Sequence, residues 1–167
     1  MTASGFDFNS TAEQVTEGLD LSGTSWLITG VNSGLGFETA RVLALRGAHI
    51  LGAARTADKA SDALGRLGIA AHPNGGGVNG TAIACELSDI GSVRAAAQAV
   101  IATGVALDGI IANAGIMALP TLQQQHGYEL QFFTNHVGHF ALVTGLLDRL
   151  TDSARVVVLS SMAHTMV

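Results

Sequence analysis

The feature that most narrows what this chain can become is a run of glycines placed between two kinds of periodicity. Trp26-Leu27-Ile28-Thr29 is a continuous apolar stretch with strand character, and Leu35 to Leu45 has helical spacing. Between them lies Gly30-Val31-Asn32-Ser33-Gly34-Leu35-Gly36. A strand that turns through glycines directly into a helix presents bare backbone N–H groups and the positive end of the helix, with no Cβ in the way. That combination suits the diphosphate of a dinucleotide. Gly30, Asn32, Ser33, Gly34, Leu35 and Gly36 are therefore candidate cofactor-binding residues, and Thr39, Ala40 and Val42 are small enough to bring the helix close to a sheet.

The same alternation continues along the chain. Strands are expected at 24–30, 48–54, 81–85, 107–112 and 155–160, and helices at 34–46, 57–67, 89–103 and 136–150. The strands are unbroken apolar runs rather than alternating ones, which suits a sheet covered on both faces. Strand and helix in turn imply right-handed βαβ units and a parallel sheet, an α/β fold. His72 to Gly80 (HPNGGGVNG) is expected to be a loop, because its proline cannot join a central ladder. A domain boundary there would leave two pieces too small for adequate cores. The expectation is one domain over 1–167, with 1–22 as a lead-in.

Composition removes several function classes. With 48% hydrophobic residues, 13% charged and 2 Pro, the chain reads as a globular domain. Its apolar stretches are interrupted before membrane-spanning length. The opening MTASGFDFNSTAEQVTEGLD lacks the basic start and apolar block of a secretory signal. A net charge of -5, with 8 scattered Lys plus Arg, offers no footprint for nucleic acid. Cys85, the 1 cysteine, cannot form an internal disulfide, which fits a reducing compartment, and a cytoplasmic location is expected. It reads as a buried strand residue. His136 and His139 are three apart but have no identifiable third ligand, so packing and hydrogen bonding to nearby backbone are expected rather than a metal. Phe132, Phe133 and Phe140 are expected in the core.

The glycine spacing G-x-x-x-G-x-G departs from the dinucleotide pattern G-x-G-x-x-G. It resembles the short-chain dehydrogenase/reductase family, as do Ala112-Asn113-Ala114-Gly115, Asn135-His136-Val137-Gly138-His139-Phe140 and the strand from Val156 to Ser161. These segments, with the lead-in Asp20-Leu21-Ser22-Gly23, are similar to the retinol-dehydrogenase-like branch. The spacing also disfavours the extended epimerase branch, whose middle glycine comes one residue earlier. The resemblance implies a Rossmann-type doubly wound sheet with strand order 3-2-1-4-5 and hydride transfer between a nicotinamide cofactor and a carbonyl or alcohol substrate, one of lipophilic character. It also implies self-association into a homo-oligomer.

For the cofactor, Ala54 stands where an NAD-type acid would bind the ribose hydroxyls, and Arg55 follows as a guanidinium able to fork onto a phosphate. NADP(H) is favoured, with NAD(H) the alternative. Glu86-Leu87 corresponds to the family's adenine-contacting Asp and its apolar successor, and Asn113, Ala114 and Gly115 would let the cofactor approach. The resemblance also implies that Asn135 is the proton-relay asparagine and Ser161 the catalytic serine. The family's Tyr-x-x-x-Lys is missing, since the lone tyrosine is Tyr128 and the lone lysine Lys59. Moreover 155–159 reads as an interior strand, yet it would be the sheet edge. A C-terminal portion carrying the tyrosine and lysine is therefore expected, with the 167-residue segment alone inactive. The other class of function is a non-catalytic NADP(H)-binding module used for sensing or assembly.

Overall fold

The computed structural model describes residues 5–68, 70–71 and 79–162. Six parallel strands form its sheet: β1 (Ser25–Thr29), β2 (His49–Ala54), β3 (Ala70–Ala71), β4 (Asn79–Ala84), β5 (Leu107–Ala112) and β8 (Leu150–Val158). Their order is β3-β4-β2-β1-β5-β8. Setting aside the two-residue β3, this is the expected 3-2-1-4-5 arrangement.

Successive side chains of a strand point to opposite faces, and each face has its own core. Leu27, Leu51 and Ile110 face α4 (Ile90–Ala102) and α6 (His139–Thr144), where Val93, Val100, Leu142 and Leu146 meet them. Ile28, Ile50 and Ile111 face α2 (Gly34–Leu45) and α3 (Ala57–Arg66), packing with Ala40, Ala63 and Leu64. Both sides of β1 are thus sealed, which is why its sequence is apolar without alternation. Each fully buried Leu or Ile contributes roughly 1.5–3 kcal/mol.

Three expectations need correction. The helix expected at 136–150 begins earlier, at α5 (Leu130–Phe132), passes through a π-helical turn over Phe133–Gly138, and continues as α6 to Thr144. Glu129 starts it, its carboxylate accepting from the N–H groups of Gln131 and Phe132 at 2.9 and 2.7 Å. Gly145 follows its end, and Leu147–Arg149 forms a separate 3-10 turn. On this helix Phe133 is buried, but Phe132 and Phe140 are exposed rather than in the core.

Second, the last strand starts at Leu150, not 155, and its polar opening includes a register shift between the pairs Leu107–Leu150 and Gly109–Arg155. Asp108 bridges the shift, accepting from Ser25 N at 2.8 Å and from the Thr151 hydroxyl at 3.2 Å. Third, Asn79 and Gly80, expected in a loop, already belong to β4, while 72–78 lie outside the described residues.

The structure adds two pieces that the strand–helix rhythm does not announce. In the lead-in, α1 (Ala12–Val15) is held by a Thr11/Gln14 capping box and tied to α2 by an Arg41–Glu13 ion pair of 2.9 Å. A small antiparallel hairpin, β6 (Gln124–Gln125) and β7 (Tyr128–Glu129), precedes α5. No helix among the described residues is long and apolar enough to cross a membrane.

Candidate functional site

All six strands point the same way, so their carboxyl ends share one edge. At the switch point, where the chain crosses from the β2–β4 side of β1 to the β5–β8 side, a cleft of about 650 Å³ opens. Gly30, Asn32, Ser33 and Leu35 line it from one direction, Arg55 and Glu86 from a second, and Asn113, Ala114 and Gly115 from a third.

The glycine turn is built as its sequence suggests. Gly30 and Gly34 have φ of 75° and 58°, conformations costly for residues with a Cβ. Gly36 sits beneath the turn, where a Cβ would collide with the Gly30 carbonyl and the Asn113 amide. Neither Gly34 nor Gly36 lines the cleft; they shape it from below. Ser33 caps α2 by position without a side-chain bond, leaving the first-turn N–H groups unclaimed by that hydroxyl. The turn is braced from behind by Arg66, which donates to the Asn32 carbonyl at 2.6 Å and lies over the Phe37 ring at 4.5 Å.

The neighbouring turn is fastened to the end of β1. The Asn113 amide donates to the Thr29 carbonyl at 2.8 Å, and the backbone N–H groups of Asn113 and Ala114 both donate to the Thr29 hydroxyl at 3.0 Å. Arg55 is exposed directly after β2, beside the buried Ala54. The carboxylate of Glu86 is turned back on its own loop, accepting from the N–H and hydroxyl of Ser88 at 3.1 and 2.8 Å. Leu87 buries its side chain in the core. Cys85 is buried immediately beyond β4, and burial, with the Glu86 charge beside it, pushes its thiol up to about 12. It packs; it does not react as a thiolate at neutral pH.

The two residues assigned catalytic roles stand apart from this lining. Asn135 lies in the π turn and clasps one backbone unit, accepting from Ile116 N and donating to Ile116 O, both at 2.8 Å. Ser161 is exposed two residues beyond Leu159, which lines the cleft and whose N–H donates to the Ala112 carbonyl at 3.1 Å. His164, expected on the substrate side from its nearness to Ser161, lies outside the described residues. Tyr128 is on the hairpin and Lys59 on α3, and neither lines the cleft.

The structure adds one residue and one contact to those expected from the sequence. Thr134 is among the residues lining the cleft, and its hydroxyl is buried with no hydrogen-bond partner. His139 is buried with both ring nitrogens in use, one on the Asn135 carbonyl and the other at the Thr29 hydroxyl, each at 2.8 Å. The backbone bond was anticipated; the link to Thr29 was not. His136 instead stacks on Phe132 at 5.2 Å. No group of three or more metal-ligating side chains comes together among the described residues.

Strand order and a cleft at the switch point define a Rossmann-type α/β protein. The chain belongs to the short chain dehydrogenase family, whose profile matches residues 25–167. It is 41% identical over 169 residues to the short-chain dehydrogenase TIC 32 B, chloroplastic, of Brassica napus, covering 97% of this chain and 52% of that protein. A solved structure of a protein from Mycobacterium paratuberculosis superposes with a TM-score of 0.71 at 41% identity, covering 87% of this chain and 49% of the other. A Burkholderia cenocepacia short chain dehydrogenase, solved in complex with NADP, gives 0.70 at 25% identity, with coverages of 88% and 59%. The chain thus spans about half the length of the curated relatives it matches.

Proposed function

We propose that this chain is the nucleotide-holding portion of an NADP(H)-dependent oxidoreductase that interconverts a carbonyl compound and an alcohol, NAD(H) being the weaker cofactor. The observation that carries this reading is the glycine turn itself, with φ positive at Gly30 and Gly34 and the first turn of α2 left open over the cleft. The orphaned Thr134 hydroxyl fits the same picture, since a buried polar atom without a partner is costly unless a ligand satisfies it. In this reading the α2 N–H groups hold the diphosphate, Arg55 forks onto a 2'-phosphate that an acid at position 54 would repel, and Asn113, Ala114 and Gly115 border the cofactor. The side-chain contact of Glu86 requires its release from Ser88, so Leu87 would act through its backbone. The Burkholderia relative binds NADP, which favours the assignment.

When bound, the nicotinamide supplies or accepts the hydride at the substrate carbon. The protein must then give a proton to the substrate oxygen, or take it in the reverse direction. Ser161, beyond the end of β8, is proposed to orient that oxygen, and Asn135, through the backbone it holds, to serve the proton path. The tyrosine and lysine of the family's active site are assigned to a C-terminal portion of the same protein. Three observations motivate this: Tyr128 and Lys59 sit on unrelated elements, β8 is uncovered, and the relatives are about twice as long. The reading includes a cytoplasmic location and self-association, for which exposed Phe132 and Phe140 offer apolar surface.

Titrating the product of the full reading frame with NADPH and NADH tests the proposal. NADPH is expected to bind at least about tenfold more tightly, and Arg55→Ala to remove that difference by weakening NADPH alone. Failure to bind either nucleotide would overturn the reading. Equal affinities, unaffected by the substitution, would overturn the NADP preference.

A further inference from the structure

His139, the one buried histidine among the described residues, joins three parts of the cleft. Its hydrogen bonds permit one arrangement of protons. The Asn135 carbonyl can only accept, so His139 Nδ1 carries a hydrogen and donates to it at 2.8 Å. The Thr29 hydroxyl oxygen has two lone pairs, and both are taken by the N–H groups of Asn113 and Ala114 at 3.0 Å. Its own hydrogen has two possible acceptors, the Ile111 carbonyl at 3.5 Å or His139 Nε2 at 2.8 Å. The first is too long to be a strong bond, so the hydroxyl donates to a bare Nε2. A neutral imidazole with its hydrogen on Nδ1 satisfies every atom in the chain, and burial favours that neutral form.

We propose that His139 is a positioning residue for the cofactor cleft. As a neutral, Nδ1-protonated ring it fixes the Thr29 hydroxyl as an acceptor for the Asn113–Ala114 turn and holds the Asn135 carbonyl that the π turn turns toward it. The end of β1, the turn after β5 and the segment bearing Asn135 are thereby set relative to one another before any ligand arrives. This rests on the reading of the cleft as an NADP(H) site, and extends it to a residue that does not line the cleft.

The test uses NADPH titration of the full-length protein with three substitutions. His139→Gln can present an acceptor where Nε2 stood, whereas His139→Asn can reach the Asn135 carbonyl but leaves the Thr29 hydroxyl without its acceptor. His139→Gln is expected to stay within about threefold of wild type, and His139→Asn to weaken NADPH about tenfold. Combined with Thr29→Val, which removes the hydroxyl, His139→Asn should cost nothing more, because the two changes break one link. A merely structural histidine would give equal losses for Asn and Gln and additive losses with Thr29→Val, and either result overturns the proposal. Unchanged affinity in His139→Asn also overturns it, while leaving the cofactor assignment intact. A wild-type protein that binds no nucleotide would overturn both. Melting temperatures of the same variants separate a loss of fold from a loss of affinity.

Discussion

The two sides of the cleft are finished to different degrees. On the β1 side the turns are braced by bonds within the chain: Thr29 serves two N–H groups and a histidine, Arg66 holds the Asn32 carbonyl, and Asn113 reaches the Thr29 carbonyl. On the β8 side Val156, Val157 and Val158 are 41%, 43% and 62% exposed, although they are the residue types found inside doubly covered sheets. The first side is braced from within; the second has the sequence of an interior strand and the surroundings of an edge. In the function proposed above, nucleotide binding falls to the first side, and conversion of the substrate is assigned to further polypeptide.

Covering β8 is the point on which the contrast can be broken most decisively. Val158→Lys in the full-length protein is expected to lose about 3 kcal/mol of stability in urea denaturation, because a charge would be forced into a packed face. A change within about 0.5 kcal/mol would mean that β8 stays open to water. Next comes Thr134→Val, which should raise the stability of the ligand-free protein by about 1 kcal/mol by removing an unsatisfied hydroxyl, while weakening NADPH binding. A stabilised variant with unaltered affinity would take Thr134 out of the receptor side.

The smallest effect is on pH dependence. Burial holds the His139 and His49 imidazoles below their ordinary pKa, in His139 despite the Asn135 carbonyl and with help from the His136 charge. An unfolded histidine titrates near about 6.5, so below that pH the unfolded chain binds more protons and the fold loses stability as pH falls. The stabilisation is complete above about pH 6.5. Urea denaturation should give a higher unfolding free energy at about pH 7.5 than at about pH 5.5, and the opposite order would contradict neutral, buried rings.

What the sequence made legible follows from period and chemistry. Gly30, Gly34 and Gly36 announced the turn because no other residue meets its backbone and packing demands, and doubly buried strands announced themselves by unbroken apolar runs. The 130–144 helix is hidden from its sequence because its start is set by the Glu129 side chain at a hairpin, a capping signal without the usual Ser, Thr, Asp or Asn, and because its π turn upsets the 3.6 period. The same shift misassigned Phe132 and Phe140. The polar opening of β8 was hidden by a register shift, which no local pattern encodes. His139 and Thr134 were beyond reach for a different reason. Their importance lies in partners: Thr29, 110 positions away, for one, and the lack of any for the other.

The π turn over Phe133–Gly138 carries one last implication, about length rather than identity. It stores a surplus residue within the helix, and deleting any one of those six would let the segment relax to regular winding. The flanking helix would keep its phase, because a π turn spreads one extra residue over nearly the rotation of regular winding. What would be lost is the widened turn that presents Asn135 to Ile116, so this stretch can absorb replacements more readily than shortening.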